Sequence, residues 1–171
     1  MDSIKFSILT LDYKLDRNDK ELTGKIIYDY IKEKSLNVLD YSTIKEDKDA
    51  IKEKLIYLCE ELKSDVVLTN GGTGFSKRDV MPEATLEVIE KQIPGFSEII
   101  RCKTYDMTKE AILYRGISGI RNKSIIINLD GRPNYIRQSL DLIIGPLIYG
   151  VKILKESVSD SIIEKIVNCK Q

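Results

Sequence analysis

The segment that decides the fold is Asp65–Thr85, with the sequence DVVLTNGGTGFSKRDVMPEAT. Its first five residues show no polar alternation, which is typical of a central strand covered on both faces. Three glycines follow within Gly71–Gly74, and a helix is predicted to begin at Pro82 with an acid, Glu83, in its first turn. A glycine loop between a strand and a helix lets an anion approach the backbone N–H groups closely. The segment therefore predicts an α/β fold in which the loop after a central strand is a candidate anion site.

Apolar runs alternate with amphipathic stretches along the rest of the chain, as they do where strands are joined by crossover helices. Further strands are predicted at Ile4–Leu9, Leu36–Tyr41 and Ser124–Leu129. Helices are predicted near residues 21–34, 47–64, from 82 onward, at 93–101, 108–114, 134–154 with an interruption at Gly145 and Pro146, and 159–171. The predicted fold class is α/β, a three-layer sandwich with a mostly parallel central sheet flanked by helices, in one domain spanning 1–171. In such sheets ligands bind beyond the carboxyl ends of the strands, where the Gly71–Gly74 loop and Gly131 both fall.

The composition excludes several kinds of active site. Histidine is absent, which rules out histidine triads, histidine general bases and histidine metal ligands. Lys+Arg and Asp+Glu number 27 each, so no net positive charge favours nucleic acid as a partner. The N-terminus lacks the order of a signal peptide, and no apolar run reaches the roughly 20 residues that span a bilayer, so a cytoplasmic protein without a membrane segment is expected. Cys59, Cys102 and Cys169 are far apart in the sequence and are expected to be reduced thiols.

The GGTG turn allows two interpretations. Glycines that adopt positive φ can present several N–H groups to one phosphate, but a plain tight turn has the same composition. The P-loop pattern, GxxxxGK followed by Ser or Thr, is missing, and so is GxGxxG with an acid about 20 residues later. These four residues alone leave both interpretations open.

The longer string TNGGTGFSKRDVMPEAT, followed by IPGFSEIIR and later by GIRNKSIIINLDG, resembles the molybdopterin adenylyltransferase family, the MogA/MoaB proteins and the G domains of gephyrin and plant Cnx-type proteins. The resemblance covers most of the chain and is closest over Val66–Arg101 and Gly119–Gly131. It implies a homotrimeric enzyme of molybdenum cofactor biosynthesis that binds Mg²⁺, ATP and molybdopterin. The expected products are adenylyl-molybdopterin and pyrophosphate, with hand-over to a molybdenum-insertion protein. Such a reaction between two anions needs a metal and positioned amide donors, and it needs no histidine.

The resemblance also implies roles for individual residues. Asp79 in the RDV segment and Asp47 at the start of the second predicted helix would be the catalytic residues and the Mg²⁺ ligands. The positions expected to contact the nucleotide or the pterin are Asp12, Thr69, Gly71, Gly72, Thr73, Gly74, Arg78, Tyr114, Gly119 and Gly131. Two alternatives stay open near Asp47, because it is also well placed as a helix N-cap, worth about 1 kcal/mol, and because Asp49 competes with it as the functional acid.

Two departures from the family pattern suggest a second function. Tyr114 stands where the family has a serine near the substrate, and Asp130 stands where it has a proline. The tyrosine is bulkier, and the new acid places negative charge near an anionic ligand. The alternative prediction is a non-catalytic relative that binds molybdopterin or acts as a scaffold. A nucleotide-binding fold with an unrelated small-molecule task is the third candidate.

Overall fold

The computed structural model describes residues 4–12 and 17–155, with residues 17–21 as backbone only. The predicted helix at 159–171 and Cys169 lie outside these residues. Within them the predicted α/β class is confirmed, because one mixed sheet lies between two layers of helices. None of the helices in this range is long and apolar enough to cross a membrane.

Six strands form the sheet within the described residues, in the spatial order β2-β1-β3-β6-β5-β4. Their bounds are Lys5–Asp12 (β1), Asn37–Lys45 (β2), Val66–Asn70 (β3), Lys91–Gln92 (β4), Ser118–Arg121 (β5) and Ser124–Leu129 (β6). The first four strands in the spatial order run parallel to one another, and β5 runs antiparallel to both of its neighbours. The prediction of a mostly parallel sheet is confirmed, with β5 as a reversed strand near one edge.

The helices cover both faces of this sheet. Their bounds are Arg17–Glu33 (α1), Lys48–Glu60 (α2), Met81–Val88 (α3), Pro94–Tyr105 (α4) and Pro133–Lys155 (α5), with a 3-10 helix at Lys109–Leu113. α1, α4 and α5 pack on one face, which Phe6 and Ile8 of β1 enter, and α2 and α3 pack on the other, which Leu9 and Leu11 enter. Successive strand residues point to opposite faces. A strand covered on both faces therefore reads as a continuous apolar run.

α5 is continuous, and the predicted interruption at Gly145 and Pro146 is wrong. Pro146 lies inside the helix, where it lacks the N–H that would bond the preceding turn, at a cost of about 3 kcal/mol. The neighbouring Ile143 and Leu147 are fully buried in the core. Each buried side chain of this size stabilises the fold by about 1.5–3 kcal/mol. Packing on both sides of the proline therefore outweighs the lost hydrogen bond.

The carboxyl ends of β1, β3 and β6 meet at one edge of the sheet. Thr10, Asn70 and Leu129 lie in register there, and β3 continues directly into the glycine loop. Because β5 is reversed, its first residue, Ser118, starts near this same edge, opposite Ile127. The chain entering β5 therefore also reaches the glycine loop.

Candidate active site

The Gly71–Gly74 loop has a backbone that only glycine adopts at low cost. φ is +96° at Gly71 and +69° at Gly72, in the left-handed region that other residues avoid. A Cβ added to Gly72 would also lie 2.7 Å from Cδ1 of Leu11 and 3.3 Å from Oε1 of Glu46. Both glycines are buried. The missing side chains therefore allow the loop to fold tightly over the edge of the sheet.

Three successive carbonyl groups of this loop are held by hydrogen bonds. The carbonyl of Gly72 accepts from the N–H of Met81 at 3.1 Å, and that of Thr73 accepts from the N–H of Arg115 at 3.1 Å. The carbonyl of Gly74 accepts from Nε of Arg115 at 2.7 Å. The first of these bonds comes from helix α3, and the other two come from the segment that leads into β5. The loop is thus fixed from two sides.

The N–H groups of the same three peptides belong to Thr73, Gly74 and Phe75. In a trans peptide the N–H points away from the carbonyl, so these N–H groups face away from the partners that hold the carbonyls. Within residues 4–12 and 17–155 none of the three N–H groups donates a hydrogen bond to another protein group. Unpaired N–H groups in a glycine turn form a concave donor surface for an anion. This geometry favours the phosphate-binding interpretation of the loop over the plain turn.

Asp79 lies beside this donor surface. Its Oδ2 accepts a hydrogen bond from the N–H of Ser76 at 2.7 Å, and a Cβ on Gly74 would lie 2.9 Å from the same oxygen. Arg78 is exposed on the same loop, and its guanidinium forms no ion pair with the part of the chain that the structure describes. The loop therefore carries the Asp79 carboxylate close to its backbone, and the cations Lys77 and Arg78 are exposed on it.

Asp47 is the residue for which the sequence left two roles open, helix N-cap and catalytic acid. Its Oδ1 accepts from the N–H of Ala50 at 2.9 Å, so its carboxylate is the N-cap of α2. Asp49, the competing candidate, has a side chain that is 84% exposed and lies 3.5 Å from Nζ of Lys52. The acid that contacts the loop from this segment is the neighbouring Glu46, next to Gly72. Sequence position alone does not distinguish Glu46 from Asp47, because an offset of one residue at the end of a strand reverses the direction of the side chain.

The remaining predicted positions differ in how near they come to the loop. Gly131 lies against it, since a Cβ there would be 3.4 Å from Cα of Gly71. Asp12 ends β1 at the same edge and is exposed. The hydroxyl of Thr69 is buried and accepts a hydrogen bond from Nδ2 of Asn128 at 3.0 Å, so this bond joins β3 to β6.

Gly119 is not brought to the loop. It lies within β5, in register with Ile126, which in turn pairs with Val67 near the start of β3. A Cβ at Gly119 would lie 2.5 Å from Cδ1 of Ile89 and 2.7 Å from the carbonyl of Lys91. The glycine therefore allows close packing between β5 and the β4 edge. Its place follows from the reversed direction of β5, which the sequence analysis did not predict.

Residues 7–150 match the family model described as a probable molybdopterin binding domain. The chain belongs to this family. It is 38% identical over 157 residues to a molybdopterin adenylyltransferase of Helicobacter pylori, with 90% of this chain and 89% of that protein aligned. It is 32% identical over 146 residues to the molybdenum cofactor biosynthesis protein B of Bacillus cereus, covering 84% of this chain and 85% of that protein. The crystal structure of the molybdopterin biosynthesis enzyme MoaB of Thermus thermophilus matches with a TM-score of 0.80 and 31% identity, over 88% of this chain and 96% of that one.

Membership of the molybdopterin-binding family confirms the resemblance and gives meaning to the two departures. Tyr114 is buried, and its hydroxyl donates to the carbonyl of Asn128. Burial, together with the charge of Asp130, raises the pKa of this tyrosine well above its ordinary value. Its ring lies 5.5 Å from the guanidinium of Arg101. The side chain therefore belongs to the core, and its hydroxyl does not reach the glycine loop as a substitute for the family serine.

Asp130 carries its own counter-ion. Its Oδ2 accepts from Nε of Arg132 at 3.0 Å and from Nη2 at 2.6 Å, and its Oδ1 accepts from the N–H of the same arginine at 3.1 Å. The carboxylate thus closes a short turn in place of the ring of the family proline, and the arginine neutralises its charge. Gly131 follows directly, and its carbonyl accepts from Oγ1 of Thr23 at 2.9 Å. The added acid leaves this side of the family site neutral.

Arg115 is the residue that sequence reasoning passed over. Besides the carbonyl of Gly74, its guanidinium donates to the carbonyl of Asp79 at 2.7 Å and to the carboxylate of Glu83. Partial burial works against ionisation of Glu83, but the hydrogen bond and charge of Arg115 lower the pKa of that carboxyl below its usual range. The signal for Arg115 in the sequence is the resemblance, which places Tyr114-Arg115 where the family has a Ser-Arg pair.

Proposed function

We propose that the chain transfers the adenylyl group of ATP to molybdopterin in molybdenum cofactor biosynthesis. A phosphate oxygen of molybdopterin attacks the α-phosphorus, the bond from that phosphorus to the bridging oxygen breaks, and pyrophosphate leaves. The observation that carries the proposal is the row of N–H groups at Thr73, Gly74 and Phe75, held outward by fixed carbonyls. The family, and the adenylyltransferase to which the chain is similar along most of its length, support the choice of substrates.

The glycine loop supplies most of what this reaction needs from the protein. Both reactants are anionic, so catalysis depends on holding phosphates in line and on donors aimed at their oxygens. The backbone N–H groups provide such donors, and because they are not on side chains, no side-chain entropy is lost when a phosphate binds. Arg78, exposed on the same loop, adds a positive charge that attracts the polyphosphate.

The acids beside the loop fit Mg²⁺. Magnesium prefers oxygen ligands and is usually held by one or two carboxylates together with substrate phosphates and water. Among the described residues no group of three or more His, Cys, Asp or Glu side chains could hold a metal ion. Glu46 lies near Gly72, and Asp79 lies near Gly74. We assign these two carboxylates to the ion, in place of the pair Asp47 and Asp79 expected from the sequence. Bound there, Mg²⁺ would neutralise phosphate charge.

The test is an assay with the protein, Mg-ATP and molybdopterin, in which pyrophosphate and the adenylylated pterin are both measured. Product is expected from the unchanged chain, and Glu46→Gln and Asp79→Asn should each lower the rate strongly. Asp47→Asn is the matched control, because asparagine caps a helix as well as aspartate does. If Asp47→Asn is inactive while Glu46→Gln is fully active, the assignment of Glu46 is wrong. If the unchanged chain binds both substrates without forming product, the non-catalytic alternative is correct.

The assembly and the cellular context remain part of the proposal. We expect a homotrimer, which light scattering would establish from the mass in solution. We also expect the product to pass to a molybdenum-insertion protein in the cytoplasm, without nucleic acid or a membrane as partner. A pull-down with the adenylylated product present and absent would test the hand-over.

A further inference from the structure

Arg115 contacts the glycine loop with both its backbone and its side chain. Its N–H donates to the carbonyl of Thr73 at 3.1 Å, and its Nε donates to the carbonyl of Gly74 at 2.7 Å. The other two nitrogens of the guanidinium donate to the carbonyl of Asp79 at 2.7 Å and to the carboxylate of Glu83. A guanidinium presents its donors in a rigid planar fork. Arg115 therefore holds the loop at Thr73 through its backbone, whereas its side chain holds Gly74 and Asp79 and joins the loop to helix α3.

These contacts determine the direction of the donors that face the ligand. Fixing the carbonyls of Thr73 and Gly74 toward Arg115 turns the N–H groups of Gly74 and Phe75 to the opposite side. The bond to the carbonyl of Asp79 fixes the backbone from which its carboxylate extends. Two of the three N–H donors and one of the two acids thus depend on a residue that lies on the far side of the loop.

We propose that Arg115 is a positioning residue, which holds the loop in the shape that binds the polyphosphate and does not itself contact the substrate. The expected loss of rate rests on the proposed function, whereas the expected effect on the shape of the loop does not. Its Nε, Nη1 and Nη2 all donate to protein groups, and the carboxylate of Glu83 neutralises its charge. A lysine at this position keeps the charge but lacks the fork that reaches several carbonyls at once.

The chain offers a matched control in Arg121. Its Nη1 donates to the carbonyl of Val88 at 2.7 Å, and its Nη2 donates to the carboxylate of Glu60 at 2.7 Å. It thus makes the same kinds of contact as Arg115. It ends β5, however, and lies at the opposite edge of the sheet from the glycine loop. A general loss of stability should follow from changing either arginine, but a change in the loop should follow from only one.

The first measurement compares steady-state kinetics of Arg115→Lys and Arg115→Ala with Arg121→Lys and Arg121→Ala. A misplaced donor array lowers the rate by roughly tenfold to a hundredfold. We expect this loss in kcat for both Arg115 variants, with a smaller rise in KM for ATP, and an unchanged kcat for the Arg121 variants. An unchanged kcat in Arg115→Lys, or an equal loss in Arg121→Lys, overturns the proposal. The lysine variant provides the answer if Arg115→Ala does not fold.

The second measurement is amide hydrogen exchange, which needs no activity. The N–H groups of Ser76, Asp79 and Met81 are bonded within the loop region, to Asp79, Ser76 and Gly72 respectively. They should exchange faster in the Arg115 variants than in the unchanged protein or in the Arg121 variants. Equal protection in all proteins contradicts the positioning role. If the unchanged chain forms no adenylylated product, the proposed function fails, while the exchange data still decide whether Arg115 fixes the loop.

Discussion

Replacing Gly72 by alanine should destabilise the protein far more than the size of a methyl group suggests. Two costs add at this position. The left-handed φ of +69° costs alanine about 1–2 kcal/mol. The new Cβ would lie 2.7 Å from Cδ1 of Leu11 and 3.2 Å from Cβ of Met81. Both neighbours are fully buried, so the added methyl group can be accommodated only by overpacking the core, which costs about 1–3 kcal/mol.

The expected net effect takes the unfolded chain into account. Alanine also reduces the conformational freedom of the unfolded chain, which offsets about 0.4–1 kcal/mol of the destabilisation. We therefore expect Gly72→Ala to lose about 1–4 kcal/mol in the free energy of unfolding, measured by urea denaturation followed by circular dichroism. Pyrophosphate binding, measured by calorimetry, should weaken as well, because the shifted loop moves the N–H groups of Thr73 and Gly74.

Gly145→Ala is the control for this experiment. Gly145 lies inside α5, its φ is not positive, and no atom lies within 4 Å of an added Cβ. Alanine there should stabilise the helix by up to about 1 kcal/mol. If Gly72→Ala is as stable as the unchanged protein, or if Gly145→Ala loses as much as Gly72→Ala does, the argument from backbone geometry and packing is refuted.

Three further outcomes can be checked with single variants or reagents. Tyr114→Phe should lose about 1 kcal/mol in the free energy of unfolding, because the bond to the carbonyl of Asn128 is lost, without a change in the KM for molybdopterin; a raised KM would restore the predicted substrate contact. Iodoacetamide at pH 8 should modify Cys102 quickly and Cys59 slowly in mass spectra, because burial raises the pKa of Cys59 to about 11 and hides the thiol. Hydrogen bonds from two lysines of α2 lower the pKa of Glu87 from 4.5 to about 2, so the stability difference between the protein and its Glu87→Gln variant should be present at pH 7 and shrink as the pH falls from about 4.5 toward 2. A difference that is independent of pH would exclude that ion pair as its source.

The sequence allowed most of the parallel part of the fold to be predicted, because local patterns carry it. Val66–Leu68 is apolar on both faces of a central strand, and the glycine loop and Pro82 mark the turn and the helix that follow. The interruption at Pro146 was mispredicted because a local rule about proline was applied where long-range burial of Ile143 and Leu147 prevails. Local signals thus determine elements, whereas packing decides whether an element continues.

The site was harder to predict because its contacts join distant segments. Asp79 is close to the loop in sequence and was found, but Arg115 reaches Gly74 across 41 residues and was not. Glu46 was not predicted because the resemblance placed the family's acid at its neighbour Asp47, whose carboxylate caps a helix in the structure. Side-chain direction at the end of a strand, and the reversal of β5 that displaces Gly119, are determined by the whole sheet. No window of sequence contains that information.

The reversal of β5 also has a practical consequence. Asn122 and Lys123 form the turn between β5 and β6 and lie at the edge of the sheet opposite the glycine loop. Asn122 has φ of +55°, which a glycine in an inserted linker would adopt easily. A biotin or a fluorophore attached through this turn would tether the protein with its phosphate-binding face directed into solution, so that substrate arrival could be followed on a sensor surface or on single molecules.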